Sequence, residues 1–117
     1  MSFFVANITV DCHNAATLAE FWSALLERPA DPNSNESIAS IEADTETGPA
    51  LTFLKVPDKN PGKNTIHIDL MADDMAYHVK RAVELGATHV ADYDEYGVKW
   101  TTLKDPEGNV FDIVAAA

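Results

Sequence analysis

Three side chains in the second half of this 117-residue chain, His67, Asp69 and Asp112, are of the types that do chemistry. Imidazole and carboxylate groups move protons near neutral pH and hold divalent metals. Asp112 lies in Val110-Phe-Asp-Ile-Val, an otherwise apolar run in which an inward carboxylate is costly unless it is paired. Asp69 follows His67 by two residues in Ile66-His-Ile-Asp-Leu, so in a strand both point to one face. The competing role for His67 is structural, a strand histidine bonded to a neighbouring carboxylate. Trp100, in Lys99-Trp-Thr-Thr-Leu, either covers a ligand or fills the core beneath a helix, and the pattern leaves both open. His13, His78 and His89 carry no assignable role, and Cys12 lacks the basic neighbours that mark a reactive thiolate.

The elements that must position these residues are legible from periodicity. Phe3–Val10 alternates and reads as a strand. Asn14 then caps a helix over Ala15–Leu26, whose Leu18, Phe21, Trp22 and Leu25 recur at i, i+3, i+4 and i+7, which makes Trp22 core. A proline-containing loop from Arg28 leads to a hairpin of Ser37–Ala43 and Ala50–Val56, and Pro57–Asn64 forms a polar connector. The second half repeats this order. A strand at Ile66–Met71 precedes a helix capped by Asp73 or Asp74, with Met75, Val79, Ala82 and Val83 on one face and Gly86 ending it. Strands follow at Thr88–Tyr93, Val98–Leu103 and Val110–Ala115, the last two joined by an Asp105-Pro-Glu-Gly-Asn turn. Sliding the first half by 60 lays Asn7 on His67 and Leu25 on Leu85, while sliding by 58 lays Phe53 on Phe111 and Leu54 on Asp112. Strand alternation turns those two phenylalanines to the face opposite Leu54 and Asp112, under the helices.

Composition narrows the partners. A net charge of −11 with only eight Lys and Arg opposes nucleic acid and anionic membrane surfaces. No apolar run is long enough for a spanning helix, the first residues lack the pattern of a signal peptide, and a single cysteine fits a cytoplasmic location. The expected architecture is one α+β domain over residues 1–117, with module one at about 1–57 and module two at about 64–117.

Ile-His-Ile-Asp-Leu, Glu-Leu-Gly-Ala, Trp-Thr-Thr-Leu and Asp-Pro-Glu-Gly-Asn-Val-Phe-Asp resemble the glyoxalase/bleomycin-resistance/dioxygenase group, the vicinal oxygen chelate superfamily, and most of all its small glyoxalase-like members. Ala19-Glu-Phe-Trp and Leu51–Pro57 extend the resemblance into the first half. It implies two βαβββ modules related by a pseudo-two-fold, with curled mixed sheets forming a concave cleft, and a homodimer that covers exposed sheet edges. In metal-using relatives four cleft residues are ligands, and by position these fall on Asn7, Leu54, His67 and Asp112. Leu54 has no donor and an Asn carbonyl is a weak ligand, so the expectation is a degenerate site with no metal and no cofactor. The resemblance raises the pocket role of His67, beside which Asp112 would find its partner, and sets Asp69 and Trp100 at the margin of a ligand site made by all six residues. The function expected is binding or sequestration of a small organic molecule. The alternatives are a lyase or isomerase using His67 with Asp112 or Asp69 and no metal, and, by analogy alone, a metal-dependent enzyme.

Overall fold

The computed structural model of the chain describes residues 5–58, 64 and 66–116. They form two compact units, Met1–Lys59 and Asn60–Ala117, which coincide with the two modules. Among the described residues no helix is long and apolar enough to cross a membrane.

In module one the strand β1 spans Asn7–Cys12, the helix α1 Ala15–Leu26, β2 Ile38–Ile41 and β3 Ala50–Lys55. The sheet order is β1-β3-β2, with β1 parallel and β2 antiparallel to β3. Asn14 caps α1 by accepting the Thr17 N–H at 3.1 Å, and Leu18, Phe21, Trp22 and Leu25 are buried, as their spacing requires. The same core takes Ala39, Ile41, Leu51 and Phe53 from one face of the sheet. β1 runs to Cys12 rather than stopping at Val10, and the expected start at Phe3 lies outside the described residues. β2 ends at Ile41, short of Ala43, because the buried Arg28 side chain claims the next carbonyls. Its Nη2 donates to the Glu42 carbonyl and, at 3.0 Å, to that of Pro49. The strand expected between helix and hairpin in a βαβββ module is here a single bridge, Ala30 to Ile41.

Module two is the fuller copy. Its elements are β4 Ile68–Ala72, α2 Met75–Leu85, β5 Thr88–Glu95, β6 Val98–Lys104 and β7 Val110–Ala115. The order β4-β7-β6-β5 has β4 parallel to β7 and the rest antiparallel. Asp74, not Asp73, caps α2, and Gly86 ends it at φ 124°, where a side chain would be strained. Ala82 is fully buried while Val83 is 44% exposed, so the buried stripe of α2 is narrower than its sequence implies. β5 and β6 run longer than expected because Tyr96 and Gly97, at φ 56° and 76°, close a two-residue hairpin whose twist suits long strands. Ile66, outside β4, is exposed.

Two carboxylates on this frame are held locally. Asp105 is buried but accepts the backbone N–H groups of Glu107 and Asn109 and the Asn109 side-chain amide, each at 2.9 Å, so its charge is satisfied within its own turn. Asp92 is bonded by His89 Nε2 at 3.0 Å and by the Thr101 hydroxyl at 2.8 Å, and these bonds, the histidine first, hold it below the ordinary aspartate value of 3.8. A depressed native pKa gives stability that is present above 3.8 and is lost as pH falls through the native value. Denaturant titrations of wild type and Asp92→Asn are expected to show a stability gap that closes in that acid range; a gap that widens with acid would contradict the assignment.

Candidate functional site

Parallel pairing of β4 with β7 sets Asp69 directly beside Asp112, and antiparallel pairing of β6 with β7 sets Thr102 on the other side of Asp112. Period two keeps His67, one residue before β4, on that face. His67 Nε2 lies 3.2 Å from Asp69 Oδ1 and 3.5 Å from Asp112 Oδ2, and the Thr102 hydroxyl donates to Asp112 Oδ1 at 2.6 Å. The Asp112 side chain is 15% exposed, against 47% for His67 and 60% for Asp69. The carboxylate in the apolar strand has therefore found the partners its burial demands.

Asn64, which carries no signal in the sequence, anchors this corner. Its Oδ1 accepts the Val110 N–H at 2.8 Å and its Nδ2 donates to the Val110 carbonyl at 3.3 Å, imitating one rung of a strand ladder. Nδ2 also donates to the Ile66 carbonyl, next to His67. An amide is suited to this because it offers donor and acceptor together.

One register step along the same open face, Met71 pairs with Val114, Val114 with Trp100 and Trp100 with Tyr93. The Trp100 and Tyr93 rings stack at 4.9 Å and 16°. Trp100 thus lies on the face of Asp112 and Thr102, opposite the buried Thr101, Leu103, Phe111 and Ile113. An apolar row across four strands runs beside a polar row of Asp69, Asp112 and Thr102 on three of them.

The remaining expected residues, Asn7 and Leu54, are in module one. Asn7 donates to Thr9 Oγ1 and accepts from the Thr52 hydroxyl, both at 3.0 Å, so its amide is engaged within the sheet. Leu54 is 39% exposed on the same face but beside Asp11 and Ile38, whereas Asn7 pairs with Ala50, and the two are not brought together. Register also changes one equivalence. Val10 pairs with Phe53 as Ile68 pairs with Phe111, which makes Leu54 the counterpart of Asp112 but Thr9, not Asn7, the counterpart of His67. The helix caps Asn14 and Asp74 keep the offset of 60 and the strands keep 58, because Asp74 follows Ile68 by six residues whereas Asn14 follows Val10, its register equivalent, by four. Module one also carries a hollow of about 260 Å³ bordered by Asp31, Asn33, Ser34, Ser40 and Thr52, a surface rich in hydroxyls.

The four positions at which the family resemblance implies a metal do not make a ligand set, since Leu54 offers no donor and the Asn7 amide is engaged. Module two alone does better. His67, Asp69 and Asp112 offer ligand atoms all within 4.8 Å of one another, a three-donor group with room for further positions. Transplanting this pattern by register tests it. Thr9→His with Leu54→Asp, alongside the existing Asp11, is expected to add one zinc equivalent to whatever the parent chain binds in calorimetry. Phe53→Ala, on the buried face, is expected to add none and to cost about 3–5 kcal/mol of stability. Unchanged stoichiometry in a folded double variant would overturn the equivalence.

The profile of the Glyoxalase-like domain matches residues 7–114. A glyoxalase-related enzyme from Fulvimarina pelagi is similar in structure with a TM-score of 0.77 at 16% identity, covering 98% of this chain and 89% of that one. A glyoxalase/bleomycin resistance protein/dioxygenase family enzyme from Burkholderia phytofirmans PsJN gives 0.78 at 17% identity, covering 96% and 98%. The bleomycin-binding protein of Streptomyces verticillus, in complex with copper(II)-bleomycin, gives 0.69 at 13% identity, covering 100% and 99%. No curated protein sequence matches the chain. At these identities the structural likenesses are likenesses of fold, shared with the glyoxalase/bleomycin resistance protein/dioxygenase family enzyme, and the profile spanning nearly the whole chain leads to one conclusion: the chain belongs to the glyoxalase-like domain family.

Proposed function

We propose that this protein binds a small organic molecule on the open face of module two, with His67, Asp69 and Asp112 as its polar contacts and Trp100 as its apolar one. The observation that carries this reading is the convergence of His67 on two carboxylates, at 3.2 and 3.5 Å, one register step from a stacked Trp–Tyr pair. Ligand sites combine an apolar surface with a few convergent polar groups, and this face has both. The fold-level likeness to a bleomycin-binding protein supports the class without naming the ligand. Leu54 belongs to the proposal only as the degenerate counterpart of Asp112 in module one, and Asn7, whose counterpart role passes to Thr9, has no part in it. Titration with 1-naphthylmethanol, an uncharged probe, is expected to quench tryptophan fluorescence saturably in the wild type. Trp100→Leu is expected to remove that quench while Trp22, which is buried, stays silent. A non-saturable response, or an unchanged one in Trp100→Leu, would defeat the reading.

A second reading rests on the same triad. As a lyase or isomerase, the protein would use His67 as a general base with Asp112 or Asp69 orienting the ring, a geometry able to move a proton on a bound ligand. A divalent ion held by His67, Asp69 and Asp112 would supply Lewis-acid polarisation of a ligand oxygen. The metal-free form remains the first choice, because module one contributes no donor at Leu54. Elemental analysis of protein purified without chelator discriminates: metal near one per chain, lost in His67→Ala, would move the choice to the metal-dependent enzyme.

We further propose a cytoplasmic homodimer, since β1 and β2 edge one sheet, β4 and β5 the other, and unpaired edges call for cover. Light scattering is expected to give twice the 12.7 kDa chain mass; a 12.7 kDa species alone at micromolar concentration would overturn this.

A further inference from the structure

Resting on the binding reading above, we infer the class of ligand: a flat apolar body carrying a cationic amine. The apolar row Met71–Val114–Trp100–Tyr93 crosses all four strands, a span of about 14 Å at a strand spacing of about 4.8 Å. Met71 is 75% exposed and Tyr93 40%, so the row is open to an incoming body rather than sealed. The polar row lies two residues away along each of its three strands, about 7 Å off. That distance suits a short arm on a flat ring system, not a second ring.

Hydrogen-bond accounting sets the sign of the arm. His67 Nε2 stands within reach of Asp69 Oδ1 and Asp112 Oδ2 together, and a single ring nitrogen carries at most one N–H, so it serves only one of the two oxygens. The Thr102 hydroxyl already serves the other Asp112 oxygen. The cluster therefore offers one imidazole N–H to two carboxylates, of which Asp69 is 60% exposed and open to a donor from outside, and it sets two acidic side chains against one basic ring. Among the described residues of these four strands, the lysine that register puts on this face is Lys104, which pairs with Val110, one row beyond Asp112 on the side away from Trp100. A protonated amine seated between the rows supplies both missing terms, the donor and the positive charge. An anionic head at the same place meets two carboxylates, and a hydroxyl supplies the donor alone.

Three probes with one body separate these cases: 1-naphthylmethylamine, 1-naphthylmethanol and 1-naphthylacetate, each titrated into the full chain by tryptophan quenching and calorimetry. The amine is expected to bind about tenfold or more tighter than the alcohol, the margin of a charge-assisted hydrogen bond over a neutral one, and the acetate weakest. Asp69→Asn, an exposed position, and Asp112→Asn are each expected to lower the ratio of amine to alcohol affinity, while Trp100→Leu weakens all three probes alike. Equal binding of amine and alcohol, or tightest binding of the acetate, overturns the cation inference and leaves the binding reading standing. Absence of saturable binding by all three overturns both.

Discussion

Everything on both open faces depends on the parallel pairing between the first and last strands of a module. Val10 lies beside Phe53 and Ile68 beside Phe111, a separation of 43 residues along the chain in each case. Parallel strands cannot be joined by a tight turn, so the intervening helix and hairpin exist to make this pairing possible. What fixes its register is burial. Phe53 and Phe111 are 0% and 1% exposed, and a slip of one residue would turn them to the open face and forfeit about 1.5–3 kcal/mol for each ring. The same alternation that buries Phe111 turns its neighbour Asp112 outward beside Asp69. A core constraint thereby places two carboxylates, distant in sequence, next to each other.

The two modules keep this constraint and differ in almost everything it leaves free. Module one buries six residues of its helix, module two one, so the first depends on helix packing where the second depends on longer strands. Its expected second strand has shrunk to the Ala30–Ile41 bridge, with Arg28 taking the neighbouring carbonyls from above. Its open rows read Thr9, Thr52, Ser40 and then Asp11, Leu54, Ile38, where module two has Asp69, Asp112 and Thr102 in the row matching the second. One frame thus carries a hydroxyl-rich surface with no histidine in its rows and a histidine–carboxylate surface. The chemistry has been divided, not duplicated.

Sequence periodicity revealed the parts of this that arise within one element. Both helices, the Asn14 cap, the Gly86 stop and the buried faces of Phe53 and Phe111 follow from spacing and side-chain type alone. Cross-strand facts were harder to see. The offset of 60 that aligns the helices lays Asn7 on His67, but two additional residues between Ile68 and Asp74 break it on the first strands, where register makes Thr9 the counterpart of His67. Trp100 could not be assigned a face because both alternating sets of β6 contain large residues, and only pairing with Val114 and Tyr93 decides. Met71, Tyr93 and Asn64 passed unnoticed for the same reason: each acquires meaning from a partner on another strand.

Comparison of the carboxylates of module two shows why one pair stands apart. Asp105 is closed on itself by three donors of its own turn, which makes it a structural group with nothing left to offer. Asp92 is held by a histidine and a buried threonine hydroxyl at the edge strand, and its depressed pKa reports that the charged form is already satisfied. Asp69 and Asp112 share a single imidazole nitrogen between them. Of these carboxylates, Asp105 and Asp112 are the shielded ones and both have partners within the fold, whereas Asp69, beside Asp112 and one register step from the apolar row, is 60% exposed. A carboxylate that is open on one side, at a fixed register from an aromatic surface, is what recognition requires, because the ligand then contributes the interaction that the fold does not.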